Sequence, residues 1–503
     1  MNSSKIYDIV VVGSGLGGLL TAVILAKEGK SVCVLEQDKQ IGGCLQTFSF
    51  EKKVFDSCVH YIGGLGEGHT LNKLFSYAGI MDKLTLKAYN ENAFDKIAFG
   101  EEEIEYPHAQ GQKNFIEQLL HYFPEEEKAL QEYISTVTKV GDHFPLYRLR
   151  LGNASEKDVV SNWELQATIN RITNNTRLQN VLTGNSLLYA GVKGRTPFYL
   201  HALVTESYIH SSHKVLPGSS QISKFLWQEL QAHGGTIYRN TTVTKLVEEN
   251  GLLSYAETND GERFYGHQFI ANVHPKIVLD ILDSKIIRPA YRKRINNIEQ
   301  TVSSYMLNLV VQPKTVKMRH YNLYWNATDN AMDAVDYKEW PSNYAVFFTE
   351  DKENEGYAES VSILSYMNYN EVKAWEATTN RTGAEMNRGG DYDEFKAIKN
   401  EQLLDKVLQR IPELKGNILA SKAATPLTYR DYTGAPEGGL YGNLKDVNKP
   451  AETTIATRTK IPNLLLTGQN VNLHGVLGVS ITAVATSAEL VGMEHLLKKI
   501  NAV

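Results

Sequence analysis

The pattern of hydrophobic and polar positions first predicts a β–α–β unit near the start of the chain. Residues 7–12 (YDIVVV) form a continuous β-branched run, which is typical of a parallel strand buried on both faces. The glycine-rich stretch 13–18 (GSGLGG) follows directly, and the apolar helical pattern LLTAVILAKEG comes next. A second buried strand is predicted over residues 31–35, and it ends at Glu36. This order of elements is that of a dinucleotide-binding fingerprint.

Each residue type in this fingerprint has a mechanical reason. Gly13 permits the tight turn, Gly15 lets the backbone approach a pyrophosphate, and Gly18 allows the helix to pack closely on the strand. The first turn of the helix offers free N–H groups and the positive end of its dipole to phosphates. We expect Glu36 to accept hydrogen bonds from an adenosine ribose, and its negative charge disfavours the 2′-phosphate of NADP.

A second glycine turn favours FAD over NAD as the bound dinucleotide. The doublet Gly42-Gly43 lies shortly after Glu36 and is followed by Cys44. A glycine turn so close to the adenine site suits a long, extended FAD on its way to the flavin. The sequence has no second strand–GxGxxG–helix unit to hold a separate nicotinamide nucleotide, so the single fingerprint is assigned to FAD.

The middle of the chain alternates between helical and strand patterns. Amphipathic helices are predicted in NFIEQLLHYF and EEKALQEYISTVTKVG, whereas SSYMLNLVVQP and NYAVFFTE predict strands of a mixed sheet. The polar stretch 377–395 predicts a mobile loop. Residues 461–488 carry no charge, but Gln, Asn, His and Gly interrupt them, so we predict a strand, a turn and a buried helix rather than a transmembrane span.

Charge and cysteine content exclude several classes of protein. The net charge of -5 argues against a nucleic-acid-binding protein. The basic cluster at residues 292–294 is interpreted as a solvated helix face. Three cysteines in a chain of this length are not a disulfide framework, and Cys33 is predicted to be a buried small hydrophobe. With no secretory signal before the first strand, a cytoplasmic setting is expected.

Two further kinds of site find little support. Glu206, His210 and His213 have the spacing of one helical face, but no second ligand-bearing motif accompanies them, and we predict no metal site. No GxSxG motif is present to indicate a serine hydrolase.

The segment GGCLQTFSFEKKVFDSCVHYIGG resembles the retinol saturase and carotenoid isomerase branch of the phytoene desaturase-like flavoproteins. That branch carries a GGC-x-x-T-F stretch, then Phe-Asp, then His-Tyr-Ile-Gly, which correspond here to residues 42–48, 55–56 and 60–63. Many relatives have arginine at the position of Cys44, so the cysteine favours the saturase-like branch.

Three later stretches carry the same resemblance. Residues 216–219 (LPGS) with GGTIYRNTTVTKLV are similar to a second nucleotide-binding segment, in which the backbone around Val243 meets the adenine. TPLT at 425–428 and PEGGLYGN at 436–443 resemble the approach to the last FAD segment. NLLLTGQNVNLHGVLGVSITAVATSAELVG resembles the closing motif, whose helix directs its N–H groups at the flavin pyrimidine carbonyl. Asn470 stands where relatives often have an acid that binds the ribityl hydroxyls.

The resemblance implies an α/β fold of the two-dinucleotide-binding-domain type, with a Rossmann-like FAD-binding domain and a discontinuous α+β substrate domain. The FAD-binding domain is expected to combine residues 1–75, 205–280 and 420–503, and the substrate domain residues 76–204 and 281–419. Fingerprint and resemblance together give the expected FAD-binding residues: Gly13, Gly15, Leu16, Gly17, Gly18, Glu36, Gln37, Gly42, Gly43, Cys44, Val243, Gly468, Gln469, Asn470, Gly475 and Val476.

The implied activity is an FAD-dependent oxidation or reduction at carbon–carbon double bonds of a large apolar, carotenoid- or retinoid-like substrate. Saturation, desaturation and isomerisation all stay open, and no electron donor or acceptor is identified. His60 and Tyr61 are expected at the flavin face, where histidine could exchange a proton near neutral pH. An amine oxidase-like flavoenzyme and a non-catalytic FAD- or lipid-binding protein are the alternatives. A lipid-soluble substrate would favour peripheral docking at a membrane.

Overall fold

The computed structural model describes residues 5–381 and 384–503. In this part of the chain there are 22 strands. Their bounds are β1 Ile6–Val12, β2 Val32–Leu35, β3 Thr47–Phe50, β4 Lys53–Asp56, β5 Ile62–Gly63, β6 Leu86–Ala88, β7 Asp95–Phe99, β8 Tyr106–His108, β9 Ser212–Val215, β10 Thr236–Tyr238, β11 Val243–Glu249, β12 Leu252–Thr258, β13 Arg263–Ala271, β14 Leu282–Asp283, β15 Ser303–Val311, β16 Asn322–Asn326, β17 Asn343–Glu350, β18 Ala358–Met367, β19 Asn380–Arg381, β20 Ala384–Glu385, β21 Ile418–Ala424 and β22 Leu464–Leu466.

The described residues also form 16 α-helices, two of them, α5 and α14, a single turn long. Their bounds are α1 Leu16–Lys27, α2 Thr70–Ala78, α3 Gln112–Leu120, α4 Glu127–Asp142, α5 Asp158–Ser161, α6 Leu165–Ile172, α7 Thr176–Thr183, α8 Phe198–His210, α9 Ser220–Ala232, α10 Pro275–Ile281, α11 Pro289–Asn296, α12 Gly390–Leu408, α13 Pro426–Thr433, α14 Pro450–Thr453, α15 Gly475–Val491 and α16 Met493–Ile500.

An eight-stranded sheet has the order β10-β2-β1-β13-β12-β11-β14, and β22 also pairs with β13. The strands β10, β2, β1, β13 and β22 are parallel, whereas β12 pairs antiparallel with both of its neighbours. The long strand β13 pairs with β12 along its first half and with β22 along its second half. The carboxyl ends of these five parallel strands meet at one edge, where open α/β sheets bind their ligands.

A seven-stranded sheet has the order β21-β15-β18-β17-β16-β7-β8. Its pairs are antiparallel except for the parallel pair β16 and β7. β15 and β16 are buried at every position, so both faces of this sheet are covered. The short strands β5, β9 and β6 form a third sheet, and α8 packs against β5.

Most of the elements predicted from the sequence are present. The β1–α1–β2 unit has the predicted Rossmann-like arrangement, and the helices α3 and α4 and the strands β15 and β17 lie in the predicted segments. Residues 461–488 contain strand β22 and most of helix α15. Among the described residues, no helix combines the length and the apolar character that crossing a membrane requires.

Three sequence-based interpretations need correction. Helix α8 ends at His210, and His213 lies instead on β9, which pairs with β5 and β6. The predicted loop 377–395 already becomes helical at Gly390, where two acidic residues in the first turn of α12 favour the helix dipole. Residues 382–383 of that prediction lie outside the described residues. The basic cluster on α11 is only partly a solvated face, because Arg292 and Arg294 donate to backbone carbonyls while Lys293 is exposed.

A buried ion pair fixes helix α13, which packs against β15 and β21 of the seven-stranded sheet. The side chains of Arg388 and Asp431 are 5% and 2% exposed and form an ion pair. Asp431 Oδ1 also lies 2.7 Å from Arg430 Nη2, and Oδ2 accepts a hydrogen bond from the Asn380 N–H at 2.8 Å. Two guanidinium groups and a strand end thus depend on a single carboxylate.

Replacing this carboxylate should destabilise the protein strongly. Asp431→Ala leaves buried cationic groups without their partner, and removing one member of a buried ion pair costs about 3–5 kcal/mol. Parallel urea titrations followed by circular dichroism should show this loss. The control is Glu117→Ala, which breaks the exposed pair with Lys113 and should cost at most about 1 kcal/mol. Equal losses in the two variants would contradict the role given to Asp431.

Candidate active site

One continuous cavity runs from the carboxyl edge of the eight-stranded sheet to the face of the seven-stranded sheet. Its first end is lined by the glycine loop after β1, by Glu36 at the end of β2, and by the N-terminus of α15. Its other end is lined mainly by apolar and aromatic side chains: Leu187, Leu188, Leu203, Val204, Tyr208, Tyr324, Phe347 and Leu364. The cavity thus joins a polar end to an apolar end.

Glycine is required at the polar end because three segments of backbone approach one another closely. A Cβ on Gly18 would lie 2.2 Å from the carbonyl oxygen of Gly13, and one on Gly17 would lie 2.6 Å from Asn272 Oδ1 and 3.1 Å from Gly468 Cα. Gly13 adopts φ +94°, which other residues rarely do. The predicted reasons for Gly13 and Gly18 therefore match the geometry.

Glu36 is buried and holds the glycine loop in place. Its Oε2 accepts hydrogen bonds from the backbone N–H and the hydroxyl of Ser14, the former at 2.9 Å. Its Oε1 accepts from the Asp38 N–H at 2.9 Å. A carboxylate has about four lone-pair sites, so acceptor capacity remains for a ligand hydroxyl. Gln37 and Leu16 line the same end of the cavity.

The second glycine turn lies against the first. Gly42 and Gly15 form an isolated parallel bridge, and a Cβ on Gly43 would lie 3.3 Å from Gly15 Cα. Gly42 has φ +111° and Gly43 φ +54°, and together they begin a short 3₁₀ turn that includes Cys44. The two turns form a cradle that side chains would fill.

Cys44 lies beside Cys58 on the cavity wall. Both cysteines are free, and their mutual contact lowers the pKa of the Cys44 thiol while it raises that of Cys58. Val243, at the start of β11, also lines the cavity near Glu36 and Thr241.

The segment after β22 closes the polar end. Gly468 and Gln469 follow β22, and Gly475 and Val476 form the first turn of α15, so free N–H groups of that turn face the cavity. Asn470 is buried, and its Oδ1 accepts a hydrogen bond from the Asn443 N–H at 2.9 Å. Part of the Asn470 side chain is thus committed to the neighbouring loop.

The polar end fits a dinucleotide. It offers helix N-termini to phosphates, a carboxylate to a ribose, and a cradle that only glycine leaves open. All the sequence-predicted cofactor residues except Gly18 are on the cavity wall, and Gly18 supports it from behind.

His60 and Tyr61 both lie where the polar end meets the aromatic wall. His60 stacks on Phe347 with ring centroids 4.3 Å apart, and it is 7% exposed. Burial, reinforced by the charge of Lys214, lowers the pKa of His60 to about 3. The imidazole is therefore neutral at pH 7, and the proton exchange near neutral pH that motivated its prediction does not apply.

Tyr61 retains its proton at neutral pH. Burial first, and then the nearby carboxyl of Asp95, raises the pKa of its phenol well above the usual value. Its hydroxyl bonds to Asp95 Oδ2 at 2.8 Å and to the Tyr324 hydroxyl at 2.7 Å.

Several cavity residues have no counterpart in the sequence-based list. Asn272 follows β13 and reaches into the glycine loop, and Tyr324, Phe347 and Tyr441 come from segments far along the chain. The only sequence signal for Asn272 is its place directly after the buried end of a central parallel strand.

The residues considered as metal ligands have other contacts. Glu206 forms an ion pair with Arg148 at 2.7 Å, and His210 stacks on His69. Within residues 5–381 and 384–503, no three His, Cys, Asp or Glu side chains are arranged to hold a metal ion.

The family described as NAD(P)-binding Rossmann-like domain matches residues 11–78. This match covers the glycine loop, Glu36, the second glycine turn and the His60-Tyr61 pair. It agrees with the βαβ unit seen in the structure.

Known relatives align with most of the chain. The all-trans-retinol 13,14-reductase of Danio rerio is 26% identical over 96% of this chain and 86% of its own length. A protein of the same organism named inactive all-trans-retinol 13,14-reductase is 24% identical over 94% of this chain and 83% of its own. Prolycopene isomerase 2 of an Oncidium hybrid cultivar is 20% identical over 87% of this chain and 75% of its own.

Solved structures share the fold. An oxidoreductase from Methanosarcina mazei has a TM-score of 0.64 and 16% identity, and the match covers 95% of this chain and 99% of that one. Wild-type putrescine oxidase has a TM-score of 0.61 and 12% identity, with 97% and 99% covered. Over most of its length the chain is thus similar to the retinol saturase and carotenoid isomerase branch of the phytoene desaturase-like flavoproteins, which confirms the resemblance predicted from its motifs.

Proposed function

We propose that the protein is an FAD-dependent oxidoreductase that acts on carbon–carbon double bonds of a large apolar, polyene-like substrate. The observation that carries this proposal is the single cavity, which joins a dinucleotide cradle to an aromatic and aliphatic chamber. A cofactor held in the cradle would direct its far end into that chamber. The relatives act, by their names, on a retinoid and on a carotenoid, and both are apolar polyenes.

The cradle residues would hold FAD along its length. Glu36 would bind the adenosine ribose, the first turn of α1 the pyrophosphate, and the first turn of α15 the flavin pyrimidine. FAD supplies hydride transfer to or from a substrate carbon. The chain's own contribution is to orient the substrate, exclude water with the aromatic wall, and place the phenol of Tyr61 beside the chamber.

We further propose that the protein has the FAD-binding and substrate domains expected from the sequence. The eight-stranded sheet draws its strands from residues 1–75, 205–280 and 420–503, and the seven-stranded sheet from 76–204 and 281–419. β14 at 282–283 and β21 at 418–424 cross these bounds by a few residues.

The reaction type is tested with a panel of polyenes that includes all-trans-retinol and prolycopene. Oxidised and dithionite-reduced protein are incubated anaerobically with each compound, and the products are identified by mass. Saturation adds hydrogen, desaturation removes it, and isomerisation leaves the mass unchanged. Alkylamines are assayed in parallel. A protein that carries flavin but changes none of these compounds would support the non-catalytic binder, and turnover of the amines alone would support the amine oxidase alternative.

The first prediction for this site is that the purified protein carries FAD and that Glu36→Arg loses it. The substitution removes the ribose acceptor and the hydrogen bonds that hold the Ser14 loop. Loss of a hydrogen-bonded charged partner costs about 2–5 kcal/mol, or about 30-fold to several thousand-fold in Kd. Acid-released cofactor is identified by chromatography, and affinity is measured by fluorescence titration of the apoprotein.

The matched control is Glu249→Arg, which makes the same charge change at an exposed end of β11. It should bind FAD like the parent protein. Recovery of NAD in place of FAD, or equal FAD affinity in both variants, would contradict the assignment of Glu36.

A second prediction concerns Asn470. Asn470→Asp keeps an acceptor for the Asn443 N–H and offers a charged, stronger acceptor to the ribityl hydroxyls, so FAD retention should hold or increase. Asn470→Ala leaves that N–H unpaired and should weaken FAD retention. Dialysis followed by absorbance at the flavin band measures both.

Thermal unfolding of the apoproteins separates the two effects of the Ala substitution. A lower Tm with unchanged FAD retention would mean that Asn470 only supports the loop at Asn443. Unchanged retention in both variants would show that its side chain does not touch the cofactor.

A further inference from the structure

A buried carboxyl group lies behind the cavity wall and has no charged partner among the described residues. Asp95 is fully buried on β7, and its cross-strand neighbours are Asn322 on β16 and His108 on β8. Its hydrogen-bond partners are Asn322, Asn185 and Tyr61, which are all uncharged. A buried carboxylate without a cation is costly, whereas a protonated carboxyl can stay there.

The surroundings decide which oxygen of Asp95 carries the proton. Oδ1 accepts a hydrogen bond from Asn322 Nδ2 at 2.9 Å. Oδ2 lies 2.8 Å from the Tyr61 hydroxyl and has a longer contact of 3.3 Å with Asn185 Nδ2. An amide donor occupies Oδ1, so a proton on Asp95 belongs on Oδ2 and faces Tyr61.

Hydroxyl groups continue from Asp95 to the cavity. The Tyr61 and Tyr324 hydroxyls are 2.7 Å apart, and both side chains line the cavity. When Asp95 is ionised, Tyr324 donates to Tyr61 and Tyr61 donates to Asp95. When Asp95 is protonated, each bond can reverse, and the Tyr324 proton then points into the cavity.

Among the described residues, no cation faces Asp95 or the Tyr61 and Tyr324 hydroxyls. His108 lies 3.0 Å from the carbonyl of Val181 through Nε2 and 3.4 Å from Asn185 Nδ2 through Nδ1, and burial lowers its pKa to about 4. Burial raises the pKa of Asp95 to about 7, although three hydrogen bonds oppose the shift. Besides Asp95, Tyr61 and Tyr324 themselves, the described titratable groups around them are Tyr89, Tyr208, Tyr441 and His108.

We propose that Asp95, Tyr61 and Tyr324 form a proton-delivery chain into the cavity, in which Asp95 stores the proton and Tyr324 hands it to the substrate. This role rests on the proposed function, in its saturating direction. It also assigns the place of Tyr61, which is the middle link and not the terminal donor. Asp95 acts through the two phenols and is a positioning residue.

The step balances in protons and electrons. Saturation of one double bond needs a hydride, which a reduced flavin supplies, and a proton at the other carbon. Tyr324 gives its proton to that carbon, Tyr61 reprotonates Tyr324, and Asp95 reprotonates Tyr61. Asp95 is left as a carboxylate, and it regains a proton from water through the same chain when the product has left.

Infrared titration tests whether Asp95 holds a proton, and it needs no substrate. From about pH 5 to about pH 9 the parent protein should lose the carbonyl stretch of a protonated carboxylic acid, with a midpoint near that of Asp95. Asp95→Asn should lack this change. Tyr61→Phe should shift the band, because the carboxyl loses its hydrogen-bond partner, and Tyr324→Phe should shift it less.

The matched control is Tyr89→Phe. Tyr89 packs edge-on against Tyr61 at 5.6 Å, and its buried hydroxyl has no hydrogen-bond partner in the described structure, so the same substitution removes a hydroxyl outside the chain. Its band should match that of the parent. The proposal of a proton-delivery chain is wrong if Asp95→Asn removes no band from the parent spectrum. It is equally wrong if Tyr61→Phe leaves the band unshifted, as Tyr89→Phe should.

Stopped-flow oxidation of the dithionite-reduced protein by all-trans-retinol tests the delivery. The parent rate should fall as pH rises through about 7, because Asp95 is protonated only below its pKa. Tyr324→Phe should slow the step about 10²–10⁴-fold. Asp95→Asn should slow it at least about 10-fold and abolish the inflection, whereas His60→Gln should keep the inflection, since His60 is neutral throughout this range.

A parent-like rate and inflection in Asp95→Asn would overturn the proposal. A parent protein that binds FAD but never reacts with the polyene would contradict the proposed function instead. In that case the infrared comparison still decides whether Asp95 holds a proton that it shares with Tyr61.

Discussion

The structure depends on one close approach of backbone at the carboxyl ends of β1, β13 and β22. Gly17, Asn272 and Gly468 come from three distant parts of the chain, and a Cβ on Gly17 would lie 2.6 Å from the side-chain Oδ1 of Asn272 and 3.1 Å from the Cα of Gly468. Filling such a contact forces backbone shifts that cost about 1–3 kcal/mol or more. The dinucleotide cradle therefore exists only while these three segments are packed together, and the order of strands in the eight-stranded sheet brings them there.

The cavity beyond this cradle keeps its titratable groups neutral. Burial is the largest cause of the pKa shifts of His60, His474 and Asp95, and it lowers the first two and raises the third. In each case the neutral form is favoured, as expected when water is removed without a compensating charge. A chamber of this kind suits an apolar substrate, because nothing in it needs a charged partner to be satisfied.

The parts of the fold that could be predicted from the sequence are those whose evidence is local. The strand, glycine loop, helix and terminal acid of the βαβ unit follow one another within a few dozen residues, and the packing keeps that order. The contacts of Asp95 could not be predicted, because its partners Tyr61 and Asn322 lie 34 and 227 residues away along the chain. The hydrogen bond that continues from Tyr61 to Tyr324 joins positions 263 residues apart. The neutral state of His60 depends on Phe347 and Lys214, which reach it only through the seven-stranded sheet and β9. His213 lies on β9 and not on the predicted helix, because the pairing of β9 with two strands outweighs one more turn of α8.

The neutral state of the cavity's titratable groups also favours the proposed function over the amine oxidase alternative. An alkylammonium substrate brings a cation, and moving it into a chamber of low polarity is costly unless an opposite charge compensates it. Asp95, a buried acid behind the chamber wall, points its Oδ2 at Tyr61 rather than into the cavity, and burial favours its protonated form. A polyene carries no charge. It needs only apolar contact from the cavity wall and, for saturation, one proton. The aromatic lining provides the first, and the phenol of Tyr324, backed by Tyr61 and Asp95, is placed to provide the second.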